Sequence, residues 1–158
     1  MTDEPPEVDR LPDDVWETVV SNAPIPSVDL VVRSGDGVVL ARRTNEPAKG
    51  EWFVPGGRIR KGETLREAVH RVARIELGVD VTVERELGAY DHLYEASDVA
   101  DSGGKHYVAH GYVVTPDAAE FELDAQHDDV RVFAPEDLPS LHEYVEAYLV
   151  DAGILRPE

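Results

Sequence analysis

The feature that most constrains the fold is the segment 56–79, in which two glycines lead through a polar loop into an amphipathic helix. Thr64 and Glu67 have the spacing of a capping box, and a helix that begins there is predicted to end just before Gly78. Its apolar residues recur at helical spacing and are Leu65, Val69, Val72, Ala73 and Ile75. The predicted helix carries Glu76 near its end.

The remaining segments are short and alternate in type. Helices are predicted over 11–21 and 139–153, and strands over 27–33, 38–43, 52–55, 79–87, 88–94, 106–114 and 130–134. The order helix, strands, helix, strands, helix predicts an α/β/α sandwich around a mixed β-sheet. We expect one domain over 1–158, with residues 1–10 loose because they are polar and contain proline.

The composition excludes several classes of protein. The chain has no cysteine, so disulfides, iron–sulfur clusters and thiolate zinc sites are excluded. No apolar run is long enough to span a membrane and the acidic start does not resemble a signal peptide, so we expect a cytoplasmic protein.

The charge is unusually negative. Asp and Glu number 33 against 15 Lys and Arg, which gives a formal net charge of −18. Such a surface repels phosphates, so we expect no nucleic-acid partner. Two interpretations of the excess remain: an acidic active site, or a solvated surface of the kind found in halophilic proteins, and we favour the second.

The glycine turn and Glu76 have the chemistry of a metal site. Glycine allows a sharp bend that brings a backbone carbonyl close to a ligand. A carbonyl and a carboxylate are hard oxygen ligands that suit Mg²⁺ or Mn²⁺. A diphosphate ester needs such a cation, because its own negative charge repels a nucleophile.

The spacing of these residues resembles the Nudix box, with Gly57, Glu63 and Arg71 separated by five and then seven residues. The usual box continues Arg-Glu-apolar-any-Glu-Glu-any-Gly, whereas this chain has Arg-Val-Ala-Arg-Ile-Glu-Leu-Gly. Val72 and Ile75 therefore replace two of the three helix glutamates. One Nudix subfamily, the GDP-mannose mannosyl hydrolases, has the same degenerate box.

The resemblance to that subfamily covers roughly residues 11–135 and includes the segments SVDL, RRTNEPAKGEWFVPGGR, DHLYEASD, HYVAHGY and AQHDDVR. It implies a homodimer that hydrolyses a nucleoside diphosphate sugar, with GDP-mannose giving GDP and mannose. In that family water attacks the anomeric carbon of the sugar with inversion, and not a phosphorus atom.

The resemblance also implies a metal site and a base. The Gly56 carbonyl, Glu76 and Gln126 would hold one Mg²⁺ per active site, with Mn²⁺ as an alternative. His127 would be the general base, because an imidazole titrates near neutral pH and can accept a proton from water.

Three arginines match the family positions that stabilise the departing GDP, whose negative charge grows as the bond breaks. They are Arg43, Arg58 and Arg71. For Arg71 a structural interpretation stays open, because box arginines can pair with Glu63 and because Glu67 lies four residues earlier.

Three further residues match positions near the ligand. Tyr107 and His92 are expected to contact the leaving group or the sugar, and Asp29 to lie near the sugar or the nucleotide. The alternative for each is a half-buried strand residue without a role in the reaction.

Two other functions remain possible at this point. A conventional Nudix pyrophosphohydrolase would cleave a substrate such as ADP-ribose at phosphorus, but it is expected to have the missing glutamates. A catalytically inactive Nudix module could bind a nucleotide sugar as a regulator, although it would not need Gln126, His127 and the three arginines.

Overall fold

The computed structural model describes residues 11–44, 48–117 and 130–157, and the fold is given for these ranges. The predicted loose segment 1–10 lies outside them. The helices are α1 (Asp13–Asn22), α2 (Leu65–Leu77) and α3 (Glu143–Asp151), with a 3-10 turn at Pro135–Asp137. The strands are β1 (Ile25–Ser34), β2 (Gly37–Arg42), β3 (Trp52–Phe53), β4 (Gly56–Arg58), β5 (Val81–Tyr94), β6 (Lys105–Pro116) and β7 (Val130–Phe133). None of the helices in these ranges is long and apolar enough to cross a membrane.

The strands of the described ranges form one mixed sheet. Its order is β3-β2-β1-β6-β5, with β4 paired to β1 and β7 paired to β2. β1 and β6 run parallel, whereas the other pairs are antiparallel. β1 is therefore flanked by β6 and, at its first half, by β4, which brings three distant segments of the chain together.

Helices cover both faces of the sheet. Successive side chains of a strand point to opposite faces, so β1 contributes to both cores. Val28 and Leu30 of β1 pack with Val69 of α2 in one core. Val31 of the same strand packs with Leu149 of α3 in the other. The predicted α/β/α sandwich around a mixed sheet is confirmed.

Helix α2 has the predicted ends. The Thr64 hydroxyl accepts a hydrogen bond from the Glu67 amide at 3.1 Å, and a Glu67 carboxylate oxygen accepts one from the Thr64 amide at 3.0 Å. Gly78 ends the helix in the left-handed region with φ of 74°. Both helix ends therefore follow from local chemistry.

The strand β4 was not predicted, and two predicted elements differ in extent from the observed ones. The segments 79–87 and 88–94 form a single strand, β5, because two register shifts absorb the irregular residues, one of them between Glu86 and Gly88. The last helix begins at Glu143 and not at residue 139. His142, immediately before it, accepts a hydrogen bond from the Tyr144 amide at 3.0 Å through its ring nitrogen and so caps the helix.

Candidate active site

A cavity of about 190 Å³ lies where β1, β4, β5 and β6 run side by side. The structure places six of the predicted site residues in its wall, although they come from distant parts of the chain. They are Asp29, Arg43, Gly56, Arg58, His92 and Tyr107. The predicted metal ligand Gln126 and the predicted base His127 lie outside the described residues.

Asp29 of β1 lies in the wall of this cavity. Its side chain is 13% exposed, and its Oδ2 accepts a hydrogen bond from the Tyr148 hydroxyl at 2.7 Å. Burial raises the pKa of Asp29 to about 6, although the Tyr148 hydrogen bond and the positive charge of Arg43 act in the opposite direction. The carboxylate is therefore ionised at neutral pH and close to its titration range.

His92 lies beside Asp29, with Nδ1 3.8 Å from Oδ2. The residue is 3% exposed, and its ring stacks on Tyr144 at 4.2 Å between centroids and 8° between planes. Burial, with a smaller effect from His142, lowers the pKa of His92 to about 4, so the ring is neutral at pH 7. Its Nε2 has no hydrogen-bond partner among the described residues. A ligand hydroxyl could satisfy this buried nitrogen.

Two arginines supply positive charge to the wall. The Arg43 guanidinium lies 5.8 Å from the centroid of the Phe53 ring, and the Arg58 guanidinium lies 5.8 Å from that of Trp16. Burial, and then the nearby charges of Arg60 and Arg71, lower the pKa of Arg58 from its usual 12.5. In a chain with net charge −18, this grouping of cations is suited to a phosphate ligand.

Arg71 lies on α2 and forms a two-bonded pair with Glu63. Its Nε donates to one carboxylate oxygen at 2.6 Å and a terminal nitrogen donates to the other at 2.9 Å. The same terminal nitrogen donates to the Arg58 carbonyl at 2.8 Å. These bonds tie α2 to β4 and to the loop between them, as the structural interpretation requires. A direct contact of Arg71 with a ligand stays a prediction.

Glu76 is exposed and lines a second cavity of about 230 Å³, whose wall also contains Gly56 and Arg43. The two cavities therefore share Gly56 and Arg43. The Glu76 carboxylate and the backbone carbonyls of such lining residues are hard oxygen donors of the kind that Mg²⁺ binds. The residues thus fit the metal predicted for this place.

A family model described as NUDIX domain matches residues 23–152. The chain belongs to the Nudix family. Nudix proteins of this kind are hydrolases that generally use a divalent metal such as Mg²⁺.

The chain is similar to the low-salt glycan biosynthesis protein Agl8 of Haloferax volcanii, at 54% identity over 140 residues and 89% of each chain. It is 29% identical over 118 residues to an ADP-ribose pyrophosphatase of Methanocaldococcus jannaschii, covering 75% of this chain and 66% of the other. Among solved structures, a MutT Nudix hydrolase from Burkholderia pseudomallei superimposes with a TM-score of 0.63 at 28% identity, covering 82% of this chain and 98% of the other.

The structure places Val72, one of the two residues that replace box glutamates, in the core. Val72 is 2% exposed and packs in the core beneath β4. A Cβ atom added at Gly57 would lie 3.1 Å from the Val72 side chain, so this space is filled by a methyl group. Among the described residues no group of three or more His, Asp and Glu side chains is arranged to hold a metal ion.

Sequence reasoning missed several residues around the cavity. Tyr144 and Tyr148 are four residues apart on α3 and contact His92 and Asp29 respectively. Their spacing places them on one helix face, which was the available signal, but nothing local shows what that face meets. Lys105 was also missed: it pairs with Asp98 at 2.6 Å and its ammonium lies 5.4 Å from the Tyr107 ring, which it helps to fix.

Proposed function

We propose that this Nudix protein is a Mg²⁺-dependent hydrolase of nucleoside diphosphate sugars, with GDP-mannose giving GDP and mannose. Water attacks the anomeric carbon and inverts its configuration. The observation that carries the proposal is the cavity of about 190 Å³, whose wall contains two arginines and three other polar side chains. Those three side chains are Asp29, His92 and Tyr107. In addition, the helix of the Nudix box lacks two of the usual carboxylates.

Arg43 and Arg58 receive the diphosphate. Both line the cavity, and a guanidinium can form paired hydrogen bonds to phosphate oxygens. Negative charge grows on GDP as the bond to the sugar breaks, and fixed positive charges stabilise that state more than the ground state.

Asp29, His92 and Tyr107 form the part of the wall that meets the sugar. The neutral His92 ring and the ionised Asp29 carboxylate offer hydrogen bonds to hydroxyl groups. Buried polar side chains that find hydrogen-bond partners only when the sugar has hydroxyl groups at the right positions discriminate strongly between sugars.

The Gly56 carbonyl, Glu76 and Gln126 would hold the single Mg²⁺, with Mn²⁺ as an alternative. When bound, the ion neutralises part of the diphosphate charge and makes GDP a better leaving group. The assignment is supported by the cavity that Glu76 and Gly56 share. His127 takes the proton from the attacking water in this proposal, which for that residue rests on sequence alone.

The relative at 54% identity has a name that places it in glycan biosynthesis, and such a role agrees with a nucleotide sugar as substrate. The proposal includes a homodimer and a cytoplasmic location. The chain itself is proposed to act on the free nucleotide sugar, with no nucleic acid and no membrane as partner.

A second candidate is cleavage at phosphorus, which the similarity to an ADP-ribose pyrophosphatase favours. Val72 argues against it. A glutamate at this position would have to be accommodated in the core beneath Gly57, where the valine packs now. Without that carboxylate the helix has fewer ligands for the several metal ions that promote attack on phosphorus.

Hydrolysis of GDP-mannose in ¹⁸O-labelled water tests the proposal. The label is expected on mannose, with GDP unlabelled, and the first sugar detected by NMR should be the β-anomer because a single displacement inverts the α-linkage. Label in GMP or in mannose 1-phosphate would establish cleavage at phosphorus. Absence of any turnover with GDP-mannose and Mg²⁺, while the protein still binds it, would favour the regulatory module.

A further inference from the structure

Asp29 has an unusual position in the sheet. In the register of the strands its neighbour on β4 is Gly56 and its neighbour on β6 is Gly111. Both cross-strand neighbours therefore lack a side chain. A glycine inside a strand often marks a place where another group comes close to the backbone.

Each of the two glycines leaves room for a particular group. A Cβ atom added at Gly56 would lie 2.1 Å from Oδ1 of Asp29, so the carboxylate occupies that space. A Cβ atom added at Gly111 would lie 2.6 Å from the ring of Tyr148, so the tyrosine occupies the other. The missing side chain of Gly56 thus leaves room for the Asp29 carboxylate, and that of Gly111 leaves room for the Tyr148 ring.

Tyr148 lies on α3, in the helical layer that covers the Val31 face of the sheet, and reaches Asp29 from there. Its side chain is fully buried, and its ring is held by Tyr90 at 4.5 Å and by His92 at 5.5 Å between centroids. From there the hydroxyl donates to Oδ2 of Asp29 at 2.7 Å. Tyr148 does not line the cavity itself, so any effect that it has on a ligand passes through Asp29.

We propose that Tyr148 is a positioning residue: its hydroxyl holds the Asp29 carboxylate in the orientation that meets the sugar of the substrate. The proposal rests on the proposed function, because it assigns Asp29 to the sugar. Without the hydroxyl, Asp29 would keep its place in the strand, but its Oδ2 would lose the hydrogen bond that orients the carboxylate. The loss is expected to weaken contacts with the sugar more than those with the diphosphate, because Tyr148 bonds to the residue assigned to the sugar.

A double-mutant cycle tests this inference with Tyr148→Phe, Asp29→Asn and the double variant. For GDP-mannose with Mg²⁺, kcat/KM is expected to fall roughly tenfold in Tyr148→Phe, the effect of losing one hydrogen bond to a charged group. The double variant should be no slower than Asp29→Asn alone, because the hydroxyl acts only through that carboxylate. The affinity for GDP, measured by calorimetry, should stay within about twofold of wild type.

Tyr90→Phe is the matched control. It removes the same atom from a tyrosine whose hydroxyl also donates to a carboxylate, that of Asp151, away from the cavity. Its kcat/KM is expected to match wild type. A purely structural role for Tyr148 would lower the affinity for GDP and for GDP-mannose in parallel, and would overturn the inference. Independent, additive losses in Tyr148→Phe and Asp29→Asn would overturn it as well.

Wild type and the three variants of the cycle also separate this inference from the proposed function. If wild type binds GDP-mannose without hydrolysing it, the proposed function fails, and the cycle is then measured on the Kd of GDP-mannose. Weaker binding of GDP-mannose in Tyr148→Phe, with the Kd of GDP unchanged, would still support the positioning role. An unchanged Kd for both ligands, or no binding of GDP-mannose by wild type, would overturn it.

Discussion

At the residue scale, burial has opposite effects on two neighbouring groups of the cavity. His92 has its pKa lowered from 6.5 to about 4, so between these values the unfolded chain binds a proton that the folded chain does not. Asp29 has its pKa raised from 3.8 to about 6, so in that range the folded chain holds the extra proton. Acid therefore destabilises the fold through His92 and stabilises it through Asp29.

Single variants should separate these two contributions. In His92→Gln the free energy of unfolding is expected to fall less between pH 6.5 and 4 than in wild type, by at most about 3 kcal/mol. In Asp29→Asn it should fall more steeply than in wild type between pH 6 and 4, because the stabilising proton uptake is lost. Urea titrations at several pH values measure both. Parallel curves for all three proteins would contradict the assignment.

Glu76 is the residue whose replacement tests the metal site. Glu76→Gln should keep the fold, because the side chains have nearly the same shape and the residue is exposed. Mg²⁺ affinity and turnover should fall together, since an amide oxygen is a weaker ligand than a carboxylate. Glu84→Gln, the same change at an exposed position of β5, is the control and should leave both unchanged. Normal turnover of Glu76→Gln at limiting Mg²⁺ would refute the ligand assignment.

At the element scale, α2 determines how the glycine turn and Glu76 are placed relative to each other. Local hydrogen bonds fix its start, and the Arg71–Glu63 pair ties its middle to the preceding loop. The same helix buries Val72 in the core against the sheet. Its position is thus set at its start, at its middle and along one face.

Removal of the cap should weaken this helix measurably. Thr64→Ala is expected to lower the free energy of unfolding by about 1 kcal/mol, since the Glu67 amide loses its acceptor. Thr18→Ala is the matched control. Its hydroxyl donates to the Asp14 carbonyl inside α1, a bond that caps no helix end, and the expected change is below about 0.5 kcal/mol. Equal changes in the two variants, measured by urea unfolding, would contradict a capping role.

At the scale of the whole molecule, the net charge of −18 opposes the compact state. The range over which surface charges repel each other is about 10 Å at 0.1 M salt and becomes shorter at higher concentration. The melting temperature is therefore expected to rise between dilute buffer and molar KCl. A melting temperature that does not move would refute the salt-adapted interpretation and leave the site assignments unaffected. The similarity to a protein of Haloferax volcanii agrees with that interpretation.

The features that could be predicted from the sequence are those that depend on neighbours along the chain. The bounds of α2 were predictable because Thr64, Glu67 and Gly78 act on backbone groups within one helical turn. The Nudix family was also indicated by sequence spacing, and the structure places six of the site residues that the resemblance implied around one cavity. The start of α3 was predicted too early, since an apolar pattern does not show that His142 caps the helix.

How those residues act on one another depends on contacts between distant parts of the chain, which the sequence does not show. Asp29 and Tyr148 are 119 positions apart, and their hydrogen bond depends on two strands that contribute glycines beside them. The neutral state of His92 follows from burial under α3, which no local pattern reveals. Burial and long-range contact change the pKa and the orientation of a side chain, and both depend on which surfaces the folded chain brings together.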